Sequence, residues 1–342
     1  MIRSRVTRRS GFTLVELIVV IAVIVILMSL LTAGIMRAYS KMNEAQARSD
    51  ISQLATSLQA FMGEYQVNHV PSRLALREDG RYGDNPNSTI AAIELETESY
   101  LKRLWPRLVT AGRTGNPPPN SRTPLPNTNF TDWNGDGAYN SGATYILEGD
   151  QSLVFLLGGI QRPDVTNTFK TPSGFSTNPQ NPTLFTAGTK GPFYEFKRSR
   201  LAMVNHSQTG NSQFLSYNDP WGTPYLYFSS SRGGNDYWVG PNNNFSTSDC
   251  PSAPRYDDHP DLGGSVVGPV LPYPEAILNG GVRFHNPNSF QIISAGKDQV
   301  FGSCITSGGA WYWKPNAGYR QDHPGADDMS NFHGRLLGST TE

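Results

Sequence analysis

From Phe12 the chain reads FTLVELIVVIAVIVILMSLLTAGIMR, and no residue from Leu17 to Met36 is charged. At about 1.5 Å per helical residue this run spans roughly 30 Å, the depth of a bilayer core. Beyond it the pattern changes but the period does not. Ile51, Leu54, Ala55, Leu58, Phe61, Met62 and Tyr65 recur at three- and four-residue steps, which predicts one apolar helix face. The charged Arg37, Lys41, Glu44, Arg48 and Asp50 mark a wet segment between the two stretches, and no proline intervenes before Pro71. One helix from Phe12 to about Tyr65 is therefore expected, roughly 80 Å long. Its first half would lie in an apolar medium and its second half against a sheet.

Further signals are shorter. A second helix is expected over Ala91–Leu108, ending near Pro106. Asp150 is placed to cap a short apolar helix, Ser152–Leu157, with Gly158 after its end. Asp219-Pro220-Trp221-Gly222 fits a type I turn, followed by a strand over Thr223–Ser229. Ser289–Ser294 reads as a second strand, followed by Ala295-Gly296-Lys297-Asp298. Residues 112–130, 163–192 and 241–275 are rich in Pro, Asn, Ser and Gly and read as irregular surface insertions. No internal repeat is evident.

Charge narrows the partners. The 342 residues carry 28 Lys+Arg against 28 Asp+Glu, which argues against nucleic acid, whose phosphates call for a basic surface. Four arginines (Arg3, Arg5, Arg8, Arg9) precede the apolar run with no acid among them. They are expected to stay cytoplasmic while the C-terminal bulk crosses the membrane. A secretory signal peptide is the ordinary alternative. The apolar run is too long for one, and no small-residue cleavage site closes it. Glu16 stands inside the apolar stretch. A carboxylate at mid-bilayer costs roughly 2.5–3.5 kcal/mol on insertion scales, and less near the surface, so a partner for it is expected.

Gly11-Phe12-Thr13-Leu14-Val15-Glu16-Leu17, behind a basic leader and ahead of about 20 apolar residues, resembles the class III signal of type IV prepilins and type II secretion pseudopilins. In that family a membrane aspartyl peptidase cuts after the glycine and N-methylates the phenylalanine. The resemblance implies cleavage between Gly11 and Phe12, methylation of Phe12, and a register-setting role for Glu16 paired with the new N-terminal amine of a neighbouring subunit. Residues 215–230 and 288–332 resemble the C-terminal sheet of the major pseudopilin of type II secretion. There a DPWG-type turn opens a hairpin and a Ser-x-Gly-x-Asp segment closes the sheet. The middle of this chain is much longer than in that family.

Two acidic segments are candidate calcium sites. Asp132-Trp133-Asn134-Gly135-Asp136-Gly137 has the D-x-N-x-D-G spacing that sets three oxygen side chains on one side of a tight turn. Ala143 stands at the twelfth loop position, where a glutamate is usual, and an Asx-rich turn is the alternative reading. The second set is Asp298 with Asp327 and Asp328. The resemblance to the major pseudopilin implies a structural calcium there, although an insert carrying Cys304 and Trp311-Tyr312-Trp313 separates the acids. Cys250 and Cys304 would both lie outside the cytoplasm, where a disulfide between them is expected. The six histidines are scattered, and no H-E-x-x-H, G-x-S-x-G, Walker A or dinucleotide fingerprint occurs.

The expected fold is therefore α+β and pilin-like: a long N-terminal helix on a C-terminal antiparallel sheet, with large irregular loop insertions. Its parts would be a leader (1–11), a transmembrane helix (12–36), the periplasmic half of that helix (37–66) and a globular region (67–342). The expected role is structural and not enzymatic. It is that of a filament or pseudopilus subunit in the cytoplasmic membrane, with prepilin peptidase and related pilin subunits as partners. A minor pilin or surface adhesin is the first alternative, and a membrane-anchored periplasmic enzyme the second.

Overall fold

The computed structural model describes residues 12–85, 88, 90–111, 130–140, 142–163, 170–185, 188–203, 214–230, 234–237, 249–250, 254–256, 266–278, 281–302 and 323–338. Helix α1 runs unbroken over Leu14–Tyr65, 52 residues, in line with the continuous period of the sequence. The chain divides into two compact units, residues 1–45 and 46–342. In the second unit Ala47, Ile51, Leu54, Leu58 and Phe61 are fully buried, and Ala55, Met62 and Tyr65 pack partly against the same core. These are the positions of the expected stripe.

Strand β1 (Leu74–Arg77) pairs antiparallel with β2 (Thr144–Leu147), Leu74 facing Leu147 and Arg77 facing Thr144. Helix α2 covers Ala91–Leu104 and stops short of the expected Leu108. Trp105 leaves the helical region (φ −130°, ψ 87°) because the ring of Pro106 disfavours an α conformation in the residue before it. Helix α3 covers Gly149–Gly158, and every one of its residues is buried. A helix apolar over Leu153–Leu157 has no face to give to water, so it sits inside the core.

The N-cap of α3 departs from expectation. Glu148 holds that position without a side-chain cap, and Asp150 lies in the first turn, where its carboxylate accepts the Ser216 hydroxyl at 2.6 Å. At the other end Gly159 (φ 84°) lies against Gly174 (φ 74°). A Cβ on Gly159 would stand 2.2 Å from the Gly174 carbonyl.

A three-stranded antiparallel sheet is formed by 226–229, 290–294 and 329–330, with 290–294 in the centre. Leu226 faces Ile293 and Ser229 faces Phe290, as the two strand signals implied. The Asp219–Gly222 turn sits beside this sheet. One carboxylate oxygen of Asp219 accepts the amides of Trp221, Gly222 and Thr223 at 2.9–3.0 Å, and the other accepts the Ser294 hydroxyl at 2.7 Å. Stretches expected to be irregular hold short strands instead: 170–172, 175–176 and 189–190 in one, 254–256 and 266–269 in the other. Strands this short carry no readable alternation. Among the described residues the pairing of 254–256 with 301–302 is parallel, as is the isolated bridge between Gly159 and Gly174, while the other strand pairs are antiparallel. Residues 112–129 lie outside the described residues.

Buried polar ties join these elements. Asp50, on α1, accepts Arg200 Nη2 at 2.6 Å and the Tyr225 hydroxyl at 3.1 Å, while Arg200 Nε donates to the Asn218 carbonyl. Asp50→Ala strands the Arg200 charge, so it should remove roughly 3–5 kcal/mol in chemical denaturation of the detergent-solubilised chain, with Asp50→Asn costing less. Asp249 accepts the Ser72 hydroxyl in the core, and its carbonyl accepts the Gly149 amide. Burial pushes the Asp249 carboxyl up to about 6, against the opposing effects of Ser72 and the Arg73 charge. The folded state then holds this proton more tightly than the unfolded chain between about pH 4 and 6, so stability from this group falls as pH rises through that window. Its size is roughly 2–3 kcal/mol. In denaturation series at pH 4 and pH 7, Asp249→Asn should lose that part of the pH dependence.

Candidate functional site

The start of α1 is held by a reciprocal cap. The Glu16 amide donates to Thr13 Oγ1 at 3.2 Å, and Glu16 Oε2 accepts the Thr13 amide at 2.9 Å and its hydroxyl at 2.8 Å. Thr13-Leu14-Val15-Glu16 is a capping box. The acid also sits at the positive end of the helix dipole. The T-x-x-E spacing was legible in the sequence, but the apolar surroundings drew attention to Glu16 alone. Both Thr13 bonds use Oε2; among the described residues Oε1 makes no hydrogen bond. Gly11 lies outside the described residues, so the Gly11–Phe12 bond itself is not described.

Past the cap, the large apolar side chains from Phe12 to Met42 are exposed, Leu14 at 73% and Met36 at 67%. The helix is long and apolar enough to cross a membrane. Ser29 and Thr32 do not interrupt this surface, because their hydroxyls turn back onto the Ile26 and Met28 carbonyls.

The Asp132–Gly137 loop folds as a nest of Asx turns. Asp132 accepts the amides of Asp136 and Gly137, and Asp136 accepts that of Ala138 at 2.7 Å. Asn134 is buried, its amide donating to Asp136 Oδ2 at 2.9 Å and to the Tyr145 hydroxyl at 3.2 Å. It holds Asp136 in place. A third acid, which sequence reading missed, joins the two aspartates. Glu78, at the end of β1, brings a carboxylate oxygen to within 4.8 Å of those of Asp132 and Asp136. Nothing in the local sequence of Glu78 signals this, since the approach depends on how the loop returns to β1. The Glu78 carbonyl accepts the Thr131 amide, and Glu78 Oε2 accepts the Asn140 amide at 2.8 Å. Burial pushes the Glu78 carboxyl up to about 7, and the Asp132 and Asp136 charges add to the rise.

Asp298, Asp327 and Asp328 are distributed differently. Asp327 Oδ2 accepts the amides of Lys297 and Asp298 at 2.6 and 3.0 Å. Asp298 accepts the Val300 amide, and its carboxyl is pushed up to about 7 by burial and by the Asp327 charge. Asp328 accepts the Tyr273 hydroxyl and the Gly302 amide, both at 2.9 Å. Gly296 (φ 73°) lets the turn approach this segment, since a Cβ there would stand 2.4 Å from the Asp327 carbonyl. Among the described residues these three acids do not converge on one point as Glu78, Asp132 and Asp136 do. The Cys250 sulfur is buried 3.6 Å from the Tyr227 carbonyl, whereas Cys304 lies outside the described residues, and the expected pairing with it.

Comparison with known proteins bears on the first of these sites. Residues 6–32 match the family model for the prokaryotic N-terminal methylation motif. No curated protein and no solved structure matches the chain. The matched residues contain Arg8 and Arg9 of the basic run, the capping box with Glu16, and most of the exposed apolar helix. The N-terminus is thus a prepilin-type signal on an α+β chain whose layout is consistent with that of pilins.

Proposed function

We propose that the chain is a structural subunit of a type IV pilus-like filament or a type II secretion pseudopilus. Prepilin peptidase cuts it after Gly11 and methylates Phe12. The subunit waits in the cytoplasmic membrane with its basic end inside, and assembles helix to helix with its own kind or with related subunits. The observation that carries this reading is the coincidence of the 6–32 match with an exposed apolar helix surface. In that setting Glu16 Oε1 is the acceptor for a neighbour's methylated amine, which stays cationic. Pairing within an apolar bundle offsets part of the cost of burying each charge.

The C-terminal sheet favours the secretion pseudopilus. Its DPWG turn is bonded through Asp219 to Ser294, and its Ser-x-Gly-x-Asp segment is bonded through Asp327 to the Ala-Asp stretch that follows. These bonds join the segments on which the resemblance to the major pseudopilin rests, and they support that reading. The role is read as non-enzymatic.

Mass spectrometry of native protein should find a chain that starts at Phe12 and is heavier by one methyl group. Gly11→Leu should leave uncut precursor in the membrane. Glu16→Val should be inserted and cut yet enter filaments poorly, because burial no longer selects one register. A native N-terminus at Met1, or efficient assembly of Glu16→Val, would reject the reading.

A further inference from the structure

Buried oxygen atoms are rarely left without a partner, because an unmet buried acceptor costs the desolvation of the group with nothing in return. Glu78 is fully buried, and among the described residues no donor stands within hydrogen-bond distance of its Oε1, while its Oε2 is met by the Asn140 amide and the Tyr145 hydroxyl lies beside the carboxylate. This atom belongs to the residue that follows β1, whose carboxylate meets those of Asp132 and Asp136. The cations nearest in sequence or space are committed elsewhere: Arg77 to Asp79 and Glu94, Arg81 to Asp79 and Asp84, and Lys170 to the Asn134 carbonyl. Among the described residues none of the three carboxylates is in an ion pair, and Lys170 reaches the loop only at the Asn134 carbonyl.

We propose that Glu78, Asp132 and Asp136 form a Ca²⁺ site that clamps the 131–140 loop onto β1. Glu78 takes the place of the glutamate that the loop lacks at Ala143. The donors are all oxygen, with no histidine or cysteine, which selects a hard cation. Their mutual spacing, within 4.8 Å, suits calcium, whose ligands lie about 2.3–2.6 Å from the ion. Magnesium demands near-ideal octahedral geometry and gives up its water reluctantly, which carboxylates from a loop and from the end of a strand do not favour. The site faces partly outward at Asp136 and leaves room for water to complete six to eight ligands. Three carboxylates on a loop and a strand place it with weak extracellular modules, at a Kd of about 10⁻⁴–10⁻³ M. The site stands independently of the filament reading.

The test uses the full chain in detergent, stripped of metal. Tb³⁺ luminescence excited through Trp133, which lies within the loop, reports occupancy, and Ca²⁺ or Mg²⁺ is titrated against it. Thermal melts run alongside, because a ligand bound only by the folded state raises the melting temperature. The account expects saturable Tb³⁺ binding displaced by Ca²⁺ and far less by Mg²⁺, with a melting temperature that rises with Ca²⁺. Glu78→Gln and Asp136→Asn should each weaken Ca²⁺ at least tenfold, and Asp298→Asn should leave it unchanged. Cooperative melting of each variant without metal separates lost binding from lost fold. If Glu78→Gln fails to melt cooperatively, Asp136→Asn and the wild-type titration decide. Absence of saturable Ca²⁺ binding by the wild type would overturn the proposal. So would binding that survives Glu78→Gln but is lost with Asp298→Asn.

Discussion

The large apolar side chains between Phe12 and Met42 are exposed, and water is a poor solvent for them. Burying a single Leu, Ile, Val or Phe contributes roughly 1.5–3 kcal/mol, so a run of this length cannot stay in contact with water. The helix is apolar all round from Leu17 to Met36 and apolar on one face only beyond Gln46, where Ile51, Leu54, Leu58 and Phe61 enter a core. One continuous helix thus carries two solvation requirements. A lipid phase or a bundle of like helices meets the first, and the chain's own sheets and helices meet the second. On the proposed reading, the prepilin-type signal at its start delivers such a helix from one apolar medium to another.

The globular unit reaches its core by an unusual route for so polar a chain. Its centre is α3, buried on every side, around which short strands and turns are fastened by buried carboxylates. Asp50, Asp219, Asp249 and Asp328 each bind groups from distant segments, so their hydrogen bonds do much of the joining that longer strands would otherwise do. Glu78, like Asp328, has one oxygen met and the other not, but it alone of these acids stands where two further carboxylates converge among the described residues, and the calcium proposal rests on that combination.

The parts legible in the sequence were those with local physical signatures. The helix over Leu14–Tyr65 followed from its period, and the Asp219 turn from the order Asp, Pro, Trp, Gly. The strands at 226–229 and 290–294 followed from their apolar, aromatic runs. The end of α2 at Leu104 was signalled by Pro106, yet was placed too late. Asp150 looked like a cap but is drawn inward by Ser216, a tertiary partner that no local rule reveals. The two- and three-residue strands of the long insertions are set by pairing partners and not by pattern. Glu78 was hidden for the same reason, since its role exists only once the chain has folded back.

What covers the exposed helix in the cell decides the central claim. A photo-crosslinking residue at Ile24, in the middle of the apolar run, would report its neighbours in living cells that hold the native secretion or pilus machinery. The account predicts crosslinks from this position to the helices of other subunits, giving dimers and a ladder of larger products. Crosslinks to lipid alone under assembling conditions would contradict it and leave the helix as an anchor.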